Sequence, residues 1–390
     1  TFSTDRILTD NFGIDSRVTL FNGFAKRNTI KQYENSVMAA GEALEETALD
    51  ITFSVIQAYL QALLAQEQVE VALSQQELVD EQVVLTQRLV EGGRLTQGNL
   101  LELRAQAANE TYNVITAQNQ AELALLNLQL LLDLDPSDNF AITTPELDPS
   151  ETEMAEYPSA EAVVEEALET LPAMNRTGYE VLSAEYAAKA AKGARFPTLS
   201  LIGSLNTSYS DARTNFEVVD FQIDTVGIVP STLEPVVWFS PVIEEVPFPF
   251  RDQVNENFSQ MVGLQLSIPI FNNYNYKAAI QQAQIQVQQA RLSRELVENE
   301  VRNDVHQDYT NAAAGAQRLA AARENLTATE LAFENVEARY NQGLINSFEY
   351  TTAVSNLNNA HSILLQAKYE YLLMLKILDI YAGKPLNLEE

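Results

Sequence analysis

Val18–Gly23 (VTLFNG) and Ser267–Asn273 (SIPIFNN) are two stretches of the chain that match each other at an offset of 250 positions. In each, a short apolar run typical of a strand leads into a long stretch rich in Ala, Gln, Glu and Leu, typical of a helix. No proline occurs between positions 23 and 135. The two stretches therefore predict that a strand passes directly into a long helix twice in the same chain.

Internal repetition extends well beyond these stretches. Arg88–Gly92 (RLVEG) matches Arg339–Gly343 (RYNQG) at an offset of 251 positions, so one single-residue insertion or deletion separates the two offsets. A repeat of this length predicts two units of one plan, each with a strand, a long helix, a glycine turn and a return helix. The predicted copies are residues 11–133 and 255–383.

Residues 197–210 alternate between apolar and polar side chains, which predicts a strand with two different faces. The more apolar face is listed here: Leu199, Leu201, Gly203, Leu205, Thr207 and Tyr209. Similar alternation covers residues 258–270 and 12–20. About ten alternating residues can cross a bilayer in a barrel, although a soluble sheet packed on helices explains the same pattern. Three strands cannot close a barrel, so a membrane barrel would need several chains.

The helical stretches are too long for an ordinary globular domain, since residues 25–90 as a helix would extend about 100 Å. Apolar residues recur every seven positions, which predicts coiled-coil packing. The two core positions of the heptad, called its seats here, are occupied in the second copy by two sets of residues. One set is Leu319, Leu326, Phe333 and Tyr340, and the other is Ala322, Thr329, Val336 and Gly343. The first copy places Gln68, Gln75 and Gln82 on one seat. The walls of a hollow helical barrel and a slender soluble coiled coil both fit this pattern.

Composition excludes several classes of function. The formal charge is −30, which argues against nucleic acid as a partner, and there is no cysteine for a disulfide or a thiolate site. No run of about 20 apolar residues predicts a transmembrane helix, and no signal peptide is visible. The two histidines, His306 and His361, lack metal spacing, and no nucleotide or nucleophile motif occurs. We therefore predict no catalytic residue, no metal site, no cofactor and no enzyme activity.

Four features together resemble the outer-membrane efflux protein family, of which TolC is the best-known member. They are Leu266–Asn272 (LSIPIFN), Ala194–Leu201 (ARFPTLSL), Arg339–Gly343 between two long helices, and the duplication. The resemblance covers nearly the whole chain. It implies a mainly helical protomer with strands, in which two repeats of long antiparallel coiled-coil helices contribute to a shared trimeric 12-stranded transmembrane β-barrel and a periplasmic α-helical barrel.

The resemblance also implies an organisation along the chain. Its segments are residues 1–21 (strand and loop of repeat 1), 22–133 (first helical hairpin), 134–196 (equatorial region), 197–271 (strands of repeat 2), 272–383 (second helical hairpin) and 384–390 (tail). The first strand of repeat 1 is expected to precede residue 1. A long extracellular loop is expected at residues 211–254, either as a lid or partner site, or packed on its neighbours around the barrel mouth.

The function implied is an outer-membrane exit duct of a tripartite efflux system, extending into the periplasm of a Gram-negative cell. Its implied partners are two further copies of the chain, a periplasmic adaptor, an inner-membrane pump reached through that adaptor, and outer-membrane lipid. A type I protein secretion outlet of the same fold is the first alternative. A soluble coiled-coil scaffold is the alternative of another class.

Site residues follow from the resemblance position by position. Tyr340, Glu349 and Arg94 are expected at the periplasmic gate, with Arg94 bonding to Glu349 or Tyr340 across the hairpins. The expected adaptor-docking tips are Gly92, Gly93, Leu95, Gly343, Leu344 and Ile345. Leu95, Leu344 and Ile345 are expected to be exposed there as a small apolar contact.

Overall fold

A computed structural model describes residues 6–135, 140–143, 154 and 157–384. The chain forms two compact units, Thr1–Gln32 with Glu185–Ile285, and Tyr33–Ala184 with Gln286–Glu390. The first unit holds all the strands described below, and the second holds most of the helical residues. The structure is mainly helical with some strands, as the sequence predicts.

Two pairs of long helices have the same lengths in both halves of the chain. The helices are α1 (Ala25–Glu91), α2 (Gln97–Leu131), α3 (Ala160–Thr170), α4 (Pro172–Gly193), α5 (Phe250–Glu256), α6 (Asn275–Asn341) and α7 (Ser347–Tyr381). Helices α1 and α6 both have 67 residues, and α2 and α7 both have 35. Every boundary in the first pair is offset from its counterpart in the second pair by 250 positions.

A three-stranded antiparallel sheet has the order β1-β2-β5, and a separate antiparallel hairpin pairs β3 with β4. The strands are β1 (Thr9–Phe21), β2 (Thr198–Ser210), β3 (Thr214–Ile228), β4 (Pro235–Pro247) and β5 (Ser259–Ser267). In the three-stranded sheet, Val18 pairs with Leu201, which pairs in turn with Leu264. This register aligns the apolar positions of all three strands on one face.

The apolar face of this sheet is open in the chain. Its exposed members on the edge strands are Phe12, Ile14 and Val18 of β1 and Val262, Leu264 and Leu266 of β5. The opposite face carries small polar side chains on β2, and Ser200 and Ser204 are both buried there. The alternation seen in the sequence therefore corresponds to two real faces. The edge strands β1 and β5 are exposed along almost their whole length, so their apolar side chains are accessible to solvent.

Residues 214–247 are a β-hairpin, which corrects the expectation of a long loop over this region. Strand β3 keeps Phe216, Val218, Phe221 and Ile223 on one face, because the register shift between Val218 and Asp220 absorbs one residue. Gln253 fixes the base of the hairpin: its side chain is buried, accepts from the Ser210 amide (3.0 Å) and donates to the carbonyls of Ser210 and Phe248 (2.9 and 2.8 Å).

Helical packing in the second unit follows the heptad seats. Leu319, Phe333, Tyr340 and Ala322 are all buried, as the heptad pattern of the second copy predicts. The apolar clusters join different helices: Ile56, Leu60 and Leu63 of α1 pack with Tyr369 and Leu372 of α7, and Val163, Val164 and Ala167 of α3 pack with Val301 and Val305 of α6. Each buried Leu or Val contributes about 1.5–3 kcal/mol to stability.

Helix α1 is apolar enough over 18 residues to cross a membrane by length and composition alone, with a window of mean hydropathy 1.4. This average over a window is a weaker criterion than the unbroken apolar run that the sequence analysis looked for. The 67 residues of α1 extend about 100 Å, more than three times the thickness of a hydrocarbon core of about 30 Å. Part of its apolar surface packs on α7 within the chain. Internal packing therefore accounts for part of the apolar character of α1.

Candidate functional site

The two glycine turns that end α1 and α6 have the same backbone structure. Gly93 and Gly343 have φ of 71° and 72°, a left-handed conformation that glycine adopts without strain. Arg94 N donates to Leu89 O (2.8 Å), and Leu344 N donates to Arg339 O (3.0 Å). Gly93, and not Gly92, is thus the counterpart of Gly343, which corrects the one-residue shift inferred from the sequence.

The helices that follow the two turns differ in their N-caps. Asn346 caps α7 by accepting a hydrogen bond from the Glu349 amide at 2.9 Å, whereas Thr96 makes no such side-chain cap to α2. The Ser347 hydroxyl is buried and donates to the Glu102 carboxylate of α2. These bonds place the first turn of α7 beside α2, so the two hairpin tips contact each other within one chain.

Tyr340 is the centre of a buried aromatic cluster at these tips. Its side chain is fully buried, its hydroxyl shares a 2.8 Å hydrogen bond with Thr86 of α1, and its ring stacks on Tyr350 with centroids 4.7 Å apart. Leu103 of α2 and Phe333 of α6 belong to the same cluster. The cluster therefore connects α1, α2, α6 and α7, so the gate tyrosine of the sequence analysis is a contact between hairpins.

The exposed apolar surface of the tips differs from the expected one. Ile345 is only 6% exposed and belongs to the aromatic cluster, and Leu95 is half-buried against it. Leu344 is 67% exposed, as expected. Phe348, which the sequence analysis missed, is 65% exposed in the first turn of α7. The sequence indicates its exposure only through its position outside the heptad seats.

Arg94 and Glu349 do not form the expected pair within this chain. The Arg94 guanidinium donates to the Gln342 carbonyl at 3.4 Å, and it is Thr86 that bonds to the Tyr340 hydroxyl. Glu349 is exposed, with its backbone amide bound by Asn346. Arg94 therefore does connect the two hairpins, but through a backbone carbonyl in an exposed position, where such a contact is weak.

Burial controls the ionisation of the two stacked phenols. Burial raises the pKa of Tyr340 above its ordinary value, and the hydrogen bond with Thr86 offsets part of this increase. Burial also raises the pKa of Tyr350, and the nearby Glu337 carboxylate adds to the effect. Both phenols therefore stay neutral at physiological pH, and the cluster holds no charge of its own.

Nothing at the tips resembles a catalytic or metal centre. Across the described ranges no group of three or more His, Asp or Glu side chains is arranged to hold a metal ion. The groups brought together are aromatic rings, hydroxyls and one carboxylate. These contacts hold the helices of the two hairpins together.

Tyr350→Phe is expected to leave the stability of the tips unchanged or to increase it. The Tyr350 hydroxyl is buried and has no hydrogen-bond partner among the described residues, and such a group costs about 1–3 kcal/mol. Hydrogen exchange of the α6–α7 turn amides would measure the change. The matched variant Tyr340→Phe should have the opposite effect, because it leaves the buried Thr86 hydroxyl unpaired. Faster exchange in Tyr350→Phe would show that its hydroxyl has a partner.

Solved structures with this fold are outer-membrane channels. The structure of VceC from Vibrio cholerae matches this chain with a TM-score of 0.73 and 13% identity. The match covers 98% of this chain and 87% of the VceC chain. The open-state structure of MtrE from Neisseria gonorrhoeae covers 97% of this chain, with 80% of its own chain covered, a TM-score of 0.68 and 15% identity. The chain therefore has the fold of these outer-membrane proteins.

The family assignment comes from the sequence itself. The family model described as outer membrane efflux protein matches residues 2–133 and 163–383, and the chain belongs to this family. The outer membrane efflux protein BepC of Brucella suis is 21% identical over 368 residues, 94% of this chain and 71% of BepC. The alkaline protease secretion protein AprF of Pseudomonas aeruginosa is 23% identical over 89% of this chain, which spans 64% of AprF. The protein is therefore an outer-membrane protein.

Proposed function

We propose that three copies of this chain form the exit duct of a tripartite efflux system, a passive channel that exports small molecules. In this proposal a periplasmic adaptor docks on the hairpin tips and connects the duct to an inner-membrane pump. Outer-membrane lipid surrounds a barrel of twelve strands, four from each chain, of which β1, β2 and β5 are three. The long helices form a tube in the periplasm. The equal lengths of the two helix pairs support an origin by duplication.

The three-stranded sheet is the single observation that carries this proposal. Its apolar face is exposed, and both of its outer strands, β1 and β5, have an edge without a partner strand among the described residues. Lipid does not tolerate unpaired strand edges, so an isolated sheet cannot be membrane-inserted. Edge pairing between copies around a ring would satisfy both edges, and it would turn the apolar face toward lipid.

A soluble coiled-coil scaffold does not explain this sheet. Such a scaffold would need to cover the apolar residues of β1 and β5, yet these side chains are exposed in a chain whose helices account for most of its length. Contiguous exposed apolar patches are a feature of interaction or membrane surfaces. The sheet therefore favours the membrane channel over the scaffold.

The hairpin tips are the proposed gate and docking surface. Tyr340 would hold the two hairpins of each chain together, and Arg94 would add a weak exposed contact through Gln342. Glu349 is exposed and would bind a donor of the neighbouring chain in the closed state. Docking would use the turns at Gly92, Gly93 and Gly343 with Leu95 and Leu344, without the buried Ile345.

The β3–β4 hairpin is proposed to lie outside the cell, packed on the hairpins of its neighbours around the barrel mouth. Residues 214–250 contain six acidic residues and no lysine or arginine, which disfavours contact with an anionic membrane surface. The Gln253 hydrogen bonds hold its base in place, which favours a fixed position over a freely moving lid. Residues 134–196 and the tail would form the equatorial region.

Conductance across a planar bilayer tests the channel proposal. Detergent-purified protein should insert as a trimer and give stable current steps with a preference for cations, because the chain is strongly acidic. Protein that is folded by circular dichroism but neither inserts nor conducts would contradict the proposal. The soluble scaffold would then be the better account.

Glu349→Ala is expected to increase the conductance of the closed state, because it removes a proposed contact between chains at the tips. Loss of one exposed polar contact is worth about 0.2–1 kcal/mol, repeated three times around the ring. Arg94→Ala should have a similar but smaller effect. Glu295→Ala, an equal change of charge at an exposed position in α6, is the control. If all three variants conduct alike, these two residues do not hold the gate.

Protein secretion is the second candidate, because the names of two relatives, AprF and the proteases secretion protein PrtF of Dickeya chrysanthemi, state it. Expression of the chain in a strain that lacks its own efflux outlet, and separately in one that lacks its secretion outlet, distinguishes the two. Restored resistance to small toxic molecules would favour efflux. Restored release of a secreted protease, without resistance, would favour secretion.

A further inference from the structure

A polar cavity of about 270 Å³ lies between α1, α2 and α7 in the helical unit. Gln68 and Gln75 line it on α1, and their counterparts in the second copy, at the offset of 250 positions, are Arg318 and Asn325. None of the side chains that line it is basic. The cavity lies about one helical turn from the tip cluster, since Val79 and Val354 of that cluster are four positions from Gln75 and Asn358, and the proposed gate does not use it.

Glu110 of α2 is the charged group in this cavity. Its side chain is only 2% exposed, and its carboxylate accepts two hydrogen bonds, from Gln106 (2.6 Å) and Asn113 (3.0 Å). Both donors are neutral amides, and no ion pair to Glu110 occurs within the described ranges. An ionised carboxylate offers about four acceptor positions, so about half of them remain. Burial of such a charge is costly unless a cation or water compensates it.

Two further oxygens are left without a partner beside this carboxylate. Gln75, which is 6% exposed, and Asn358 of α7 both line the cavity, and the side-chain oxygen of each is buried without a hydrogen bond among the described residues. Buried polar atoms are normally satisfied, so these oxygens indicate a missing occupant. An occupant that faces a carboxylate and two amide oxygens must be positively charged or donate hydrogen bonds.

We propose that the cavity binds a hydrated divalent cation of the Mg²⁺ class, with Glu110 as its charged ligand and with its water molecules donating to the oxygens of Gln75 and Asn358. Magnesium loses its water reluctantly and is often held by only one or two carboxylates. The volume suffices for a cation with several waters, since each water occupies about 30 Å³. Glu110 supplies the carboxylate among the residues that line the cavity, and a single carboxylate agrees with an ion that keeps most of its water.

An ion in this position would connect the two helical hairpins. Gln75 and Glu110 belong to the first hairpin and Asn358 to the second, so a bound cation would restrain α1, α2 and α7 together. The ion would act as a structural link along the helices and would not take part in the tip contacts. The inference therefore stands or fails independently of the proposed channel function.

Binding of Mn²⁺, a paramagnetic substitute for Mg²⁺, tests the site by electron paramagnetic resonance on detergent-purified protein. About 150 mM KCl should be present to screen weak binding to the acidic surface. The wild type is expected to bind one more Mn²⁺ per chain than Glu110→Gln, and Mg²⁺ should displace it. The control is Glu122→Gln, the same change at an exposed position of α2, which should keep the wild-type number.

A second variant covers the case in which Glu110→Gln does not fold. Gln75→Leu keeps the charge but removes one oxygen that orients the bound water, and it should weaken Mn²⁺ binding at least tenfold, as loss of outer-shell partners usually does. MgCl₂ should also raise the unfolding temperature of the wild type more than that of either cavity variant. Equal Mn²⁺ numbers in wild type and Glu110→Gln, or equal losses in Glu110→Gln and Glu122→Gln, would overturn the proposal.

Discussion

Gly23→Ala is expected to destabilise the folded protein by about 2–5 kcal/mol, the sum of a left-handed backbone strain of about 1–2 kcal/mol and an overpacking cost of about 1–3 kcal/mol. Gly23 has φ of 62°, and a Cβ atom there would lie 2.5 Å from the Phe196 Cβ atom and would also meet the Gly193 carbonyl. The contact joins the turn between β1 and α1 to the turn between α4 and β2. The apparent unfolding temperature, followed by circular dichroism, measures the loss.

Asn273 shows whether backbone strain or steric overlap causes the loss of stability at Gly23. It is the counterpart of Gly23 in the second copy and has φ of 52° with a full side chain, so backbone strain alone does not forbid a side chain at this kind of turn. Gly193→Ala should therefore also destabilise strongly, because its Cβ atom would lie 2.7 Å from the Gly23 carbonyl oxygen. Gly41→Ala, in open space within α1, should be neutral or stabilising by about 0.5–1 kcal/mol. Equal effects at Gly23 and Gly41 would refute the close contact.

Tyr340→Ala is expected to open the hairpin tips locally, at a cost of about 3–5 kcal/mol for the loss of a large buried aromatic side chain. The change removes the stacking on Tyr350 and leaves the buried Thr86 hydroxyl without its partner. Hydrogen exchange should accelerate at both turns, while the residues of α3, far along the chain, stay protected. In the proposed channel the same variant should conduct more in the closed state.

A double-mutant cycle shows how much of this effect belongs to the hydrogen bond. Tyr340→Phe should cost about 1–3 kcal/mol by leaving Thr86 unpaired, and Tyr340→Phe with Thr86→Val should recover most of that cost. If the double variant is as unstable as the sum of the two single variants, the two hydroxyls do not act on each other. The stacked rings would then account for the stability of the tips.

Much of the fold follows from local patterns in the sequence. Period-two alternation predicts both faces of β2, and the heptad seats predict the burial of Leu319, Phe333 and Tyr340, because side-chain spacing decides which face an element presents. The glycine turns are also local, since a left-handed residue closes the last helical hydrogen bonds. The sequence analysis matched Gly92 with Gly343, which was wrong by one residue. Gly92 and Gly93 are adjacent, and only the backbone geometry distinguishes them.

The β3–β4 hairpin was missed for a different physical reason. Two register shifts, at Val218/Asp220 and Thr225/Gly227, interrupt the alternation, so its period is hidden in the sequence. Proline at position 241 also argues against a strand, although an edge strand tolerates it, and both strands of a two-stranded hairpin are edges. The contacts of Tyr340 with Thr86 and of Glu110 with its cavity depend on residues that are distant in sequence or on neighbouring helices, which no local pattern predicts.

The equal lengths of the two helical hairpins limit which changes this chain can accept during evolution. One residue inserted into α1 alone would move its tip by about 1.5 Å and turn every following side chain by about 100° around the helix axis. Tyr340 would then face the wrong residue in place of Thr86. We expect that relatives with longer or shorter helices have gained or lost residues in both copies together. The number of residues should be the same in each copy and a multiple of seven.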